Sequence, residues 1–566
     1  NMDICYTNDK NINLRWRDSE NNRVETKVEN FRPYFFIRAI ETEVDGYEVT
    51  HTFQGRKAKL WFPFEYENGN WVNLQGQLLK KVYVHSPNDM YKARDCFMQT
   101  YEADVSIIDR YCVDELKDIP EFKMRKMYWD MEWMADDLYD GAITCIVAYD
   151  NYDKQYYQWI WFPNQDPYNG FKMSTKEVAH MSVFNSEKEM LDAFLTYIED
   201  KDPDMLLAWF GLKYDLPKLI HRCIANDLDP RRLSPYNEVK GVIWNDGVKA
   251  TKAVDDYYAI SQPIRGRLTL NLDLAFERQW SDAQKGTLPS MALDDIAEMA
   301  LGKKKLVSEK FPDKNEFFRR GWLEDTETYL EYAKIDVELL VELDETNFCS
   351  DAIIYLQRIL KAPFKSCMYV SMMGAVYFMR NATWKAPTGD KSVQKINYDG
   401  AMIYDPTTEK THGLHLNVAA LDFAGLYPSM MIARNISWET KSKEPTEFAV
   451  NIATPRDFSP TKSKVMRYYK TDKLGLLPKS VLELKELRNE YKRRMYLARE
   501  QGNTMEYNKW FVNQMAVKRL SASFYGVIGK QGFGWGDIDL AASITASARE
   551  AIRSAALEVK RMVIMK

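Results

Sequence analysis

Hydrophobic and polar positions along the chain predict a succession of strands near its N-terminus. Residues 1–105 mix short strand-like runs with polar turns, which predicts a small β-rich domain; the runs are Tyr34–Ala39, Lys59–Phe64 and Lys81–His85. The next block predicts three successive strands with short polar connections, at Met127–Trp133, Ala142–Asp150 and Gln155–Phe162.

A helix, a strand and a second helix follow these three strands. The first helix, Ser186–Asp200, opens with Ser186 as N-cap and Glu189 three residues on, the pattern of a capping box. The apolar strand Met205–Phe210 then runs into a helix at Leu216–Ala225. This order of elements is that of the opening of a ribonuclease-H-like α/β domain.

The C-terminal third predicts a strand that ends in an acid and a helical hairpin. The apolar strand Asn417–Asp422 turns through Gly425–Pro428. Two helices at Lys479–Arg499 and Met505–Tyr525 are joined by a short polar turn, which predicts antiparallel packing.

Composition limits the broad class of the protein. With 566 residues, 45% of them hydrophobic and 28% charged, the chain predicts roughly three to four globular domains. The absence of an apolar run of about 18 residues argues against a membrane anchor. Seven scattered cysteines without CxxC or CxxH spacing favour reduced thiols in a cytoplasmic compartment and argue against structural zinc. The net charge of −5 excludes no nucleic-acid function, because DNA binding needs only a local basic surface.

Asp130 and Glu132 are the first candidate metal ligands. Residues two apart on a strand point to the same face, so both carboxylates can reach one metal centre. The same spacing occurs elsewhere, for example at Asp18 and Glu20. Asp130 is distinguished by its apolar and aromatic neighbours, because carboxylates seldom lie in such a strand unless they are paired or bind metal.

Two further acidic segments complete the pattern. Asp215 follows a strand and precedes a helix, where it is either a metal ligand or a helix N-cap. Tyr332 and Asp336 are four apart on a predicted helix and therefore share a face. On that face the phenol can orient water while the carboxylate holds metal; the alternative is a partly buried tyrosine beside a surface acid.

These acids, in this order, resemble the three Exo motifs of the DEDDy proofreading exonucleases in family B DNA polymerases. The segment Leu293–Gly302 also resembles part of that domain. The resemblance implies that Asp130, Glu132, Asp215 and Asp336 hold two Mg²⁺ ions, with Mn²⁺ as a substitute, and that Tyr332 assists the attacking water. Phe210 departs from the family pattern, which has Asn at this position of the second Exo motif.

The segment Asp422–Ser429 resembles polymerase motif A, DxxSLYPS, with Gly425 in place of Ser. The resemblance implies that Asp422 binds the two polymerase metals and that Leu426 and Tyr427 lie under the incoming nucleotide. Tyr427 would be the steric gate that excludes a ribose 2′-hydroxyl. The alternative is a turn with a surface acid and a core tyrosine.

The predicted helical hairpin resembles the fingers domain. Its second helix carries a segment that resembles motif B, KxxxNSxYG, and that ends at Tyr525 and Gly526. Ala522 stands in place of the Asn of this motif. Arg488 and Lys518 lie at similar heights on opposing helices, and Lys492 lies one turn from Arg488. Three cations can thus converge on a triphosphate. The alternative is a solvated basic helix face.

Tyr398, Gly400 and Ala401 lie in a segment that resembles the YxGG/A motif, which contacts the template strand. The alternative for this short motif is a hairpin turn. Gly536–Asp539 does not fit motif C, because it follows motif B almost at once and does not lie between apolar strands. Motif C and the thumb are therefore expected on a second chain, either from a natural split or from truncation.

The predicted fold class is α/β multidomain, with a β-rich N-terminal domain, a ribonuclease-H-like exonuclease domain, and a partial palm with two-helix fingers and no thumb. The predicted segments are 1–105 (N-terminal domain), 106–345 (exonuclease), 346–390 (return of the N-terminal domain), 391–473 (palm), 474–530 (fingers) and 531–566 (second part of the palm).

The expected function is replicative DNA synthesis with 3′→5′ proofreading. Expected partners are primer–template DNA, dNTPs, a second polypeptide that completes the polymerase site, and a sliding clamp. The expected location is the cytoplasm or the nucleoid; for a viral source it is the cytoplasm of the host. The alternatives are an exonuclease with a degenerate polymerase half and a silent replisome scaffold.

Overall fold

The structure is a computed structural model that describes residues 2–41, 64–134, 138–163, 180–245, 248–252, 254–257, 261–282, 286–402, 416, 421–423, 425–457 and 461–564. Most residues of the predicted strands Lys59–Phe64 and Asn417–Asp422 therefore lie outside the described residues. Among the described residues, no helix combines the length and apolar character needed to cross a bilayer.

In the part of the chain that the structure describes, most strands lie in the first half and the longest helices in the second. The strands are β1 (Asp3–Tyr6), β2 (Ile12–Arg17), β3 (Arg23–Val28), β4 (Tyr34–Arg38), β5 (Glu65–Val72), β6 (Leu78–Tyr83), β7 (Thr100–Tyr101), β8 (Lys126–Trp133), β9 (Ile143–Asp150), β10 (Gln155–Trp161), β11 (His180–Phe184), β12 (Met205–Ala208), β13 (Ile243–Asn245), β14 (Val248–Lys252), β15 (Leu268–Asn271), β16 (Lys441–Ser442), β17 (Phe448–Asn451) and β18 (Met466–Tyr469). The helices are α1 (Met90–Arg94), α2 (Ile107–Asp114), α3 (Glu187–Lys201), α4 (Asp215–Ala225), α5 (Leu272–Asp282), α6 (Leu293–Leu301), α7 (Lys314–Glu316), α8 (Trp322–Glu324), α9 (Thr326–Asn347), α10 (Cys349–Leu360), α11 (Phe364–Met368), α12 (Val370–Asn381), α13 (Leu426–Ala433), α14 (Leu476–Glu500), α15 (Thr504–Ile528) and α16 (Ile538–Ile564).

The chain folds into two compact units, and each is built from separated stretches. The first unit comprises residues 1–31 and 116–365, and the second comprises 32–115 and 366–566. The predicted N-terminal domain, 1–105, is thus divided between the two units. The chain passes from one unit to the other after residues 31, 115 and 365.

The first unit contains a sheet in the order β11-β10-β9-β8-β12-β15. The three strands predicted at its start form an antiparallel meander, and β12 is parallel to both β8 and β15. The predicted helices α3 and α4 are confirmed, and the Ser186 hydroxyl caps α3 by accepting from the Glu189 N–H. The predicted elements are therefore present in the predicted order, but a fourth strand, β11, which was not predicted, lies between β10 and α3.

Residues 1–31 form a separate antiparallel sheet, β1-β2-β3, within the first unit. Three arginines fix this sheet to residues just after α3: Arg15 and Arg23 pair with Asp202, and Arg17 pairs with Asp204 at 2.8 Å. Arg15 and Arg17 are buried. The Gln357 side chain also bonds the backbone N–H and C=O of Met2. These contacts join residues far apart in sequence, which local pattern alone does not predict.

The second unit contains the sheet β5-β6-β4-β7, the small sheet β16-β18-β17 and most of the helices that follow α10. The predicted helical hairpin is confirmed as α14 and α15, joined at Gln501–Asn503, with the Asn503 side chain capping α15. Rings of Phe378, Phe524, Trp438 and Trp535 pack with centroids 4.7–5.4 Å apart and form an aromatic core beside α15.

Candidate functional site

Three of the predicted metal ligands meet in the first unit. Carboxylate oxygens of Asp130, Glu132 and Asp336 all lie within 4.8 Å of one another. Glu132 and Asp336 are buried and Asp130 is partly exposed, so the cluster is open to solvent on the Asp130 side. The arrangement brings β8 and α9 together, although their acids are some two hundred residues apart.

Strand geometry and packing explain why these carboxylates converge. Asp130 and Glu132 are two apart on β8 and share a face, as predicted. Helix α9 is fixed across that face because the Tyr329 hydroxyl lies 2.8 Å from Thr144 Oγ1, which also donates to the Glu132 carbonyl. A second bond, from Gln158 Nε2 to the Leu330 carbonyl, holds the same helix to β10.

Lys305 is a member of the cluster that the sequence patterns did not predict. Its Nζ lies 2.5 Å from Asp336 Oδ2 and 3.4 Å from the Tyr332 hydroxyl. The chain reaches this point because α6 ends at Gly302 in the left-handed conformation and the Lys305 N–H donates to Asp294. The signal in the sequence is a run of three lysines directly after that glycine.

Asp215 lies at the first position of α4 and is 3% exposed. It is not one of the three carboxylates that meet within 4.8 Å, but it lies close enough to act on them electrostatically. Burial, and then repulsion from Asp130, raise the pKa of Asp215 well above its ordinary value. The structure thus brings the acid of the second Exo segment to the same site.

The whole cluster carries more negative charge than its protein surroundings neutralise. Burial, together with the charge of Asp336, raises the pKa of Asp130 to about 7. The pKa of Glu132 is also raised well above its ordinary value, by burial and then by Asp130. Lys305 opposes these shifts, and the pKa of its ammonium is itself raised by Asp336 despite burial.

Tyr332 is oriented by packing. Its ring lies 5.6 Å from Phe317 and 5.5 Å from Phe318, both in edge-to-face contact. Burial, and then Asp336, raise the pKa of the phenol above its ordinary value, so the hydroxyl keeps its proton and remains a hydrogen-bond donor.

The donor set fits divalent cations that prefer oxygen ligands. Lys305 pairs with Asp336 Oδ2, and Asp336 Oδ1 is buried without a hydrogen-bond partner. Hard cations such as Mg²⁺ bind such oxygen clusters, whereas thiolate or imidazole ligands, typical of zinc, are not among the three converging groups.

The raised acid pKa values predict that the metal-free protein loses stability as pH rises. Between the unfolded pKa of Asp, about 3.9, and the folded value of about 7 for Asp130, the folded state binds the extra proton. The stabilisation is therefore present at low pH and is lost through this window. In EDTA we expect Tm to fall by several degrees between pH 5 and 8, and Mg²⁺ to restore it at pH 8.

The control for this pH dependence is Asp130→Asn, which removes one titrating carboxylate and should flatten the change in Tm. Calorimetry of both proteins across the pH range measures the difference. A steeper fall in the variant than in the wild type would contradict the assignment of the effect to this cluster.

The second candidate site lies in the second unit, on the helical hairpin. Arg488, Lys492 and Lys518 come close together: the pKa of Lys492 is lowered by burial and then by the charges of Arg488 and Lys518. Arg488 Nε donates to Gln514 at 3.2 Å, which orients its guanidinium. Burial lowers the pKa of Arg488 as well. Lys492 therefore lies within electrostatic reach of both Arg488 and Lys518.

Tyrosines connect the motif A, motif B and YxGG/A segments. The rings of Tyr427 and Tyr525 lie 4.7 Å apart, and the Tyr525 and Tyr398 hydroxyls lie 3.0 Å apart. Leu426 and Tyr427 begin α13, directly after Gly425 in the left-handed conformation. Asp422 is exposed, and residues 417–420, which precede it, lie outside the described residues.

The loop of the YxGG/A segment is held from α16. Buried Arg549 donates through Nη1 to the carbonyls of Asp399 and Gly400, both at 2.6 Å, and Thr545 Oγ1 donates to the Asp399 carbonyl. Gly400 is half-buried and Ala401 is exposed. The backbone of this loop therefore has a fixed position relative to α16.

Asp537 and Asp539 are engaged in structural contacts. Asp537 pairs with Lys441, and its Oδ1 accepts from the N–H groups of Asp539 and Leu540 at the start of α16. Asp539 pairs with Arg467 Nε at 2.7 Å. These are the contacts of helix-capping acids rather than of open metal ligands.

Comparison with known proteins places these sites in one family. Residues 354–566 match the family described as DNA polymerase family B, and residues 141–268 match DNA polymerase family B, exonuclease domain. The chain belongs to DNA polymerase family B.

The relatives of this family B chain include archaeal and animal DNA polymerases. It is 24% identical to a DNA polymerase of Pyrococcus glycovorans over 93% of its length, and 25% identical to the DNA polymerase delta catalytic subunit of Caenorhabditis elegans over 67%. These alignments cover 64% and 34% of the relatives' own lengths. The chain therefore spans less than two thirds of these curated relatives.

The fold is also that of a solved family B structure. The DNA polymerase of Pyrobaculum calidifontis superposes with a TM-score of 0.70 at 18% identity, over 99% of this chain and 72% of that one. The exonuclease match begins at residue 141 and ends at residue 268, so Asp130, Glu132 and Asp336 lie outside it. Geometry, not the matched stretch, joins these acids to the site.

Proposed function

We propose that this chain is the large part of a DNA-directed DNA polymerase that acts in DNA replication and carries a 3′→5′ proofreading exonuclease. The observation that carries the proposal is the convergence of acids from β8, α4 and α9 on one site in a family B chain. Three separated segments supply these acids, in the order expected for the exonuclease.

In the proposed exonuclease, Asp130, Glu132, Asp215 and Asp336 hold two Mg²⁺ ions, with Mn²⁺ as a substitute. When bound, such a pair of cations activates water and stabilises the leaving 3′ oxygen. The protonated Tyr332 hydroxyl orients the attacking water. The rings of Phe317 and Phe318 hold the Tyr332 ring in place. Lys305 holds the Asp336 carboxylate and reduces the negative charge that a DNA phosphate must approach.

In the proposed polymerase site, the primer 3′-hydroxyl attacks the incoming dNTP. Asp422 is the metal ligand, again for two Mg²⁺ ions. Arg488, Lys492 and Lys518 bind the triphosphate, for which their mutual proximity is favourable. The template strand lies on the segment of Tyr398, Gly400 and Ala401.

The residues under the nucleotide form a packed group. Tyr427 is proposed as the steric gate against a ribose 2′-hydroxyl, with Leu426 beside it on α13. Tyr525 supports that ring from motif B through their 4.7 Å contact and is itself tied to Tyr398. Two tyrosine contacts therefore connect the segment of Tyr398 with the proposed gate.

Two-metal nucleotidyl transfer needs carboxylates on more than one side of the cations. Because Asp537 and Asp539 are bound by cations and by a helix terminus, they are poor candidates for this role. We propose that motif C and the thumb come from further polypeptide, either a second chain or a continuation, and that a sliding clamp assists. The site of action proposed is the cytoplasm or nucleoid.

A gel assay tests the proposal directly. The purified chain is incubated with Mg²⁺ and a 5′-labelled primer–template, with and without dNTPs, beside the Asp130→Ala variant. Shortening without extension, lost in the variant, supports a working exonuclease joined to a polymerase site that needs more polypeptide. Extension by this chain alone would overturn the proposed need for further carboxylates. If the primer is neither shortened nor extended, the result would favour a silent scaffold.

A further inference from the structure

The turn that precedes Asp215 contains a residue in an unfavourable backbone conformation. Phe210 has φ = 54°, in the left-handed region where Asn is tolerated but a bulky aromatic residue is strained. Its carbonyl accepts from the N–H groups of Lys213 and Tyr214, so the strained residue determines how the turn enters α4. A strained residue persists only where its surroundings hold it.

Two buried side chains hold this turn, one at the end of the neighbouring strand β15 and one at the start of α5. The Phe210 N–H donates to Asp273 Oδ1 at 3.0 Å, and the Leu212 N–H donates to Asn271 Oδ1 at 3.0 Å. Asp273 is 1% exposed and Asn271 is 3% exposed. The Leu212 bond is buried and the Phe210 bond is partly buried, so competing water weakens them less than it weakens an exposed bond.

Sheet register explains why these two residues reach the turn. Strands β12 and β15 are parallel neighbours with Ala208 opposite Asn271. The carboxyl ends of parallel strands meet at one edge of the sheet, so residues after Ala208 lie beside residues after Asn271. Neither acceptor belongs to the acidic segments that resemble the Exo motifs.

The space beside the turn means that its position depends on the hydrogen bonds to Asp273 and Asn271. A cavity of about 20 Å³, lined in part by Gly211, Leu212 and Asn271, lies against it. The turn is also in close contact with the end of β12, since a Cβ on Gly211 would meet the Ala208 Cβ at 2.5 Å. If the anchors were removed, the turn would have room to relax in one direction.

We propose that Asp273 and Asn271 are positioning residues of the exonuclease site, holding the strained turn at Phe210 so that Asp215 faces the other three carboxylates. This inference rests on the proposed exonuclease function. The competing explanation is that Asp273, in the first turn of α5, only caps that helix. The two explanations differ in what each predicts for metal binding.

The test compares Asp273→Ala and Asp273→Asn with a matched control. Asp344→Asn alters another acid of the first unit that is 2% exposed and accepts from a backbone N–H, that of Ser350, but does not touch the turn. Mn²⁺ binding is measured by electron paramagnetic resonance, unfolding by calorimetry, and cleavage on 5′-labelled single-stranded DNA.

For Asp273→Ala we expect Mn²⁺ affinity to fall about 10-fold and kcat to fall about 10–100-fold, the range typical when support for a metal ligand is lost. Asp273→Asn keeps an acceptor at Oδ1 and should retain most of both. The Asp344→Asn control should lower Tm without changing Mn²⁺ affinity. If Asp273→Ala does not fold, Asn271→Ala, which removes the other anchor, should show the same pattern more weakly.

Wild-type Mn²⁺ affinity in Asp273→Ala, with only Tm reduced, would overturn the inference and leave Asp273 as a helix cap. The proposed function fails in a different way: the wild type would bind Mn²⁺ but cleave no DNA. In that case the Mn²⁺ measurements on the variants still decide whether Asp273 positions Asp215.

Discussion

The Asp130→Ala variant should lose exonuclease activity, with kcat on single-stranded DNA reduced about 10³-fold or more, equivalent to about 4 kcal/mol of transition-state stabilisation. The reason is that Asp130 is one of the three converging carboxylates and is the partly exposed member, which solvent can reach. The steady-state rate at which a 5′-labelled oligonucleotide is shortened measures the loss.

The same variant should be at least as stable as the wild type in EDTA. Removing Asp130 relieves the repulsion that raises the pKa values of Glu132 and Asp215. A loss of activity together with a raised or unchanged Tm separates a catalytic defect from unfolding. The matched control is Asp18→Ala, since Asp18 and Glu20 have the same spacing on the surface. Equal activity in the two variants would contradict the assignment of the site to β8.

The Arg488→Ala variant should bind deoxynucleoside triphosphate about 10–100-fold more weakly. A hydrogen bond between charged groups contributes about 1.5–3 kcal/mol, and Lys492 and Lys518 remain to bind part of the triphosphate. Anisotropy of a fluorescently labelled dNTP measures the affinity without requiring turnover. The expected loss is therefore the same whether or not the chain extends a primer by itself.

The control for that variant lies on the same helix. The side chain of Arg493 is 71% exposed and pairs with Glu490 at 2.9 Å. Arg493→Ala therefore removes one positive charge, as Arg488→Ala does, but at a position outside the three-cation cluster. If both variants weaken nucleotide binding equally, the cations act only through the net charge of α14. Salt titration provides a second check, since a non-specific charge effect is screened more readily than a converging site.

Local pattern was sufficient to predict the elements that carry the sites. Alternation and flanking turns identified β8, β9 and β10, and the capping box placed the start of α3 at the observed residue. The i,i+2 and i,i+4 rules predicted the shared faces of Asp130 with Glu132 and of Tyr332 with Asp336. These features depend on neighbours in sequence, which is why a sequence reveals them.

The contacts that the sequence did not reveal are long-range. Lys305 reaches Asp336 only because α6 ends at Gly302, and the strain at Phe210 depends on the register of β12 with β15. The pairing of Arg15 and Arg17 with acids after α3 likewise joins residues nearly two hundred positions apart. Nothing in the spacing of these residues specifies their partners.

The discontinuous first unit has a consequence for how the protein is made. The Gln357 side chain forms hydrogen bonds with both the N–H and the C=O of Met2, which directly precedes β1. These bonds can form only after residue 357 has left the ribosome. At about 5–20 residues per second, synthesis of the intervening chain takes roughly a quarter of a minute to more than a minute. During that interval the segment that carries β1, β2 and β3 lacks its contact with Gln357. The segment 2–28 is therefore open to chaperone binding throughout that interval, and slowing translation should increase aggregation through this segment.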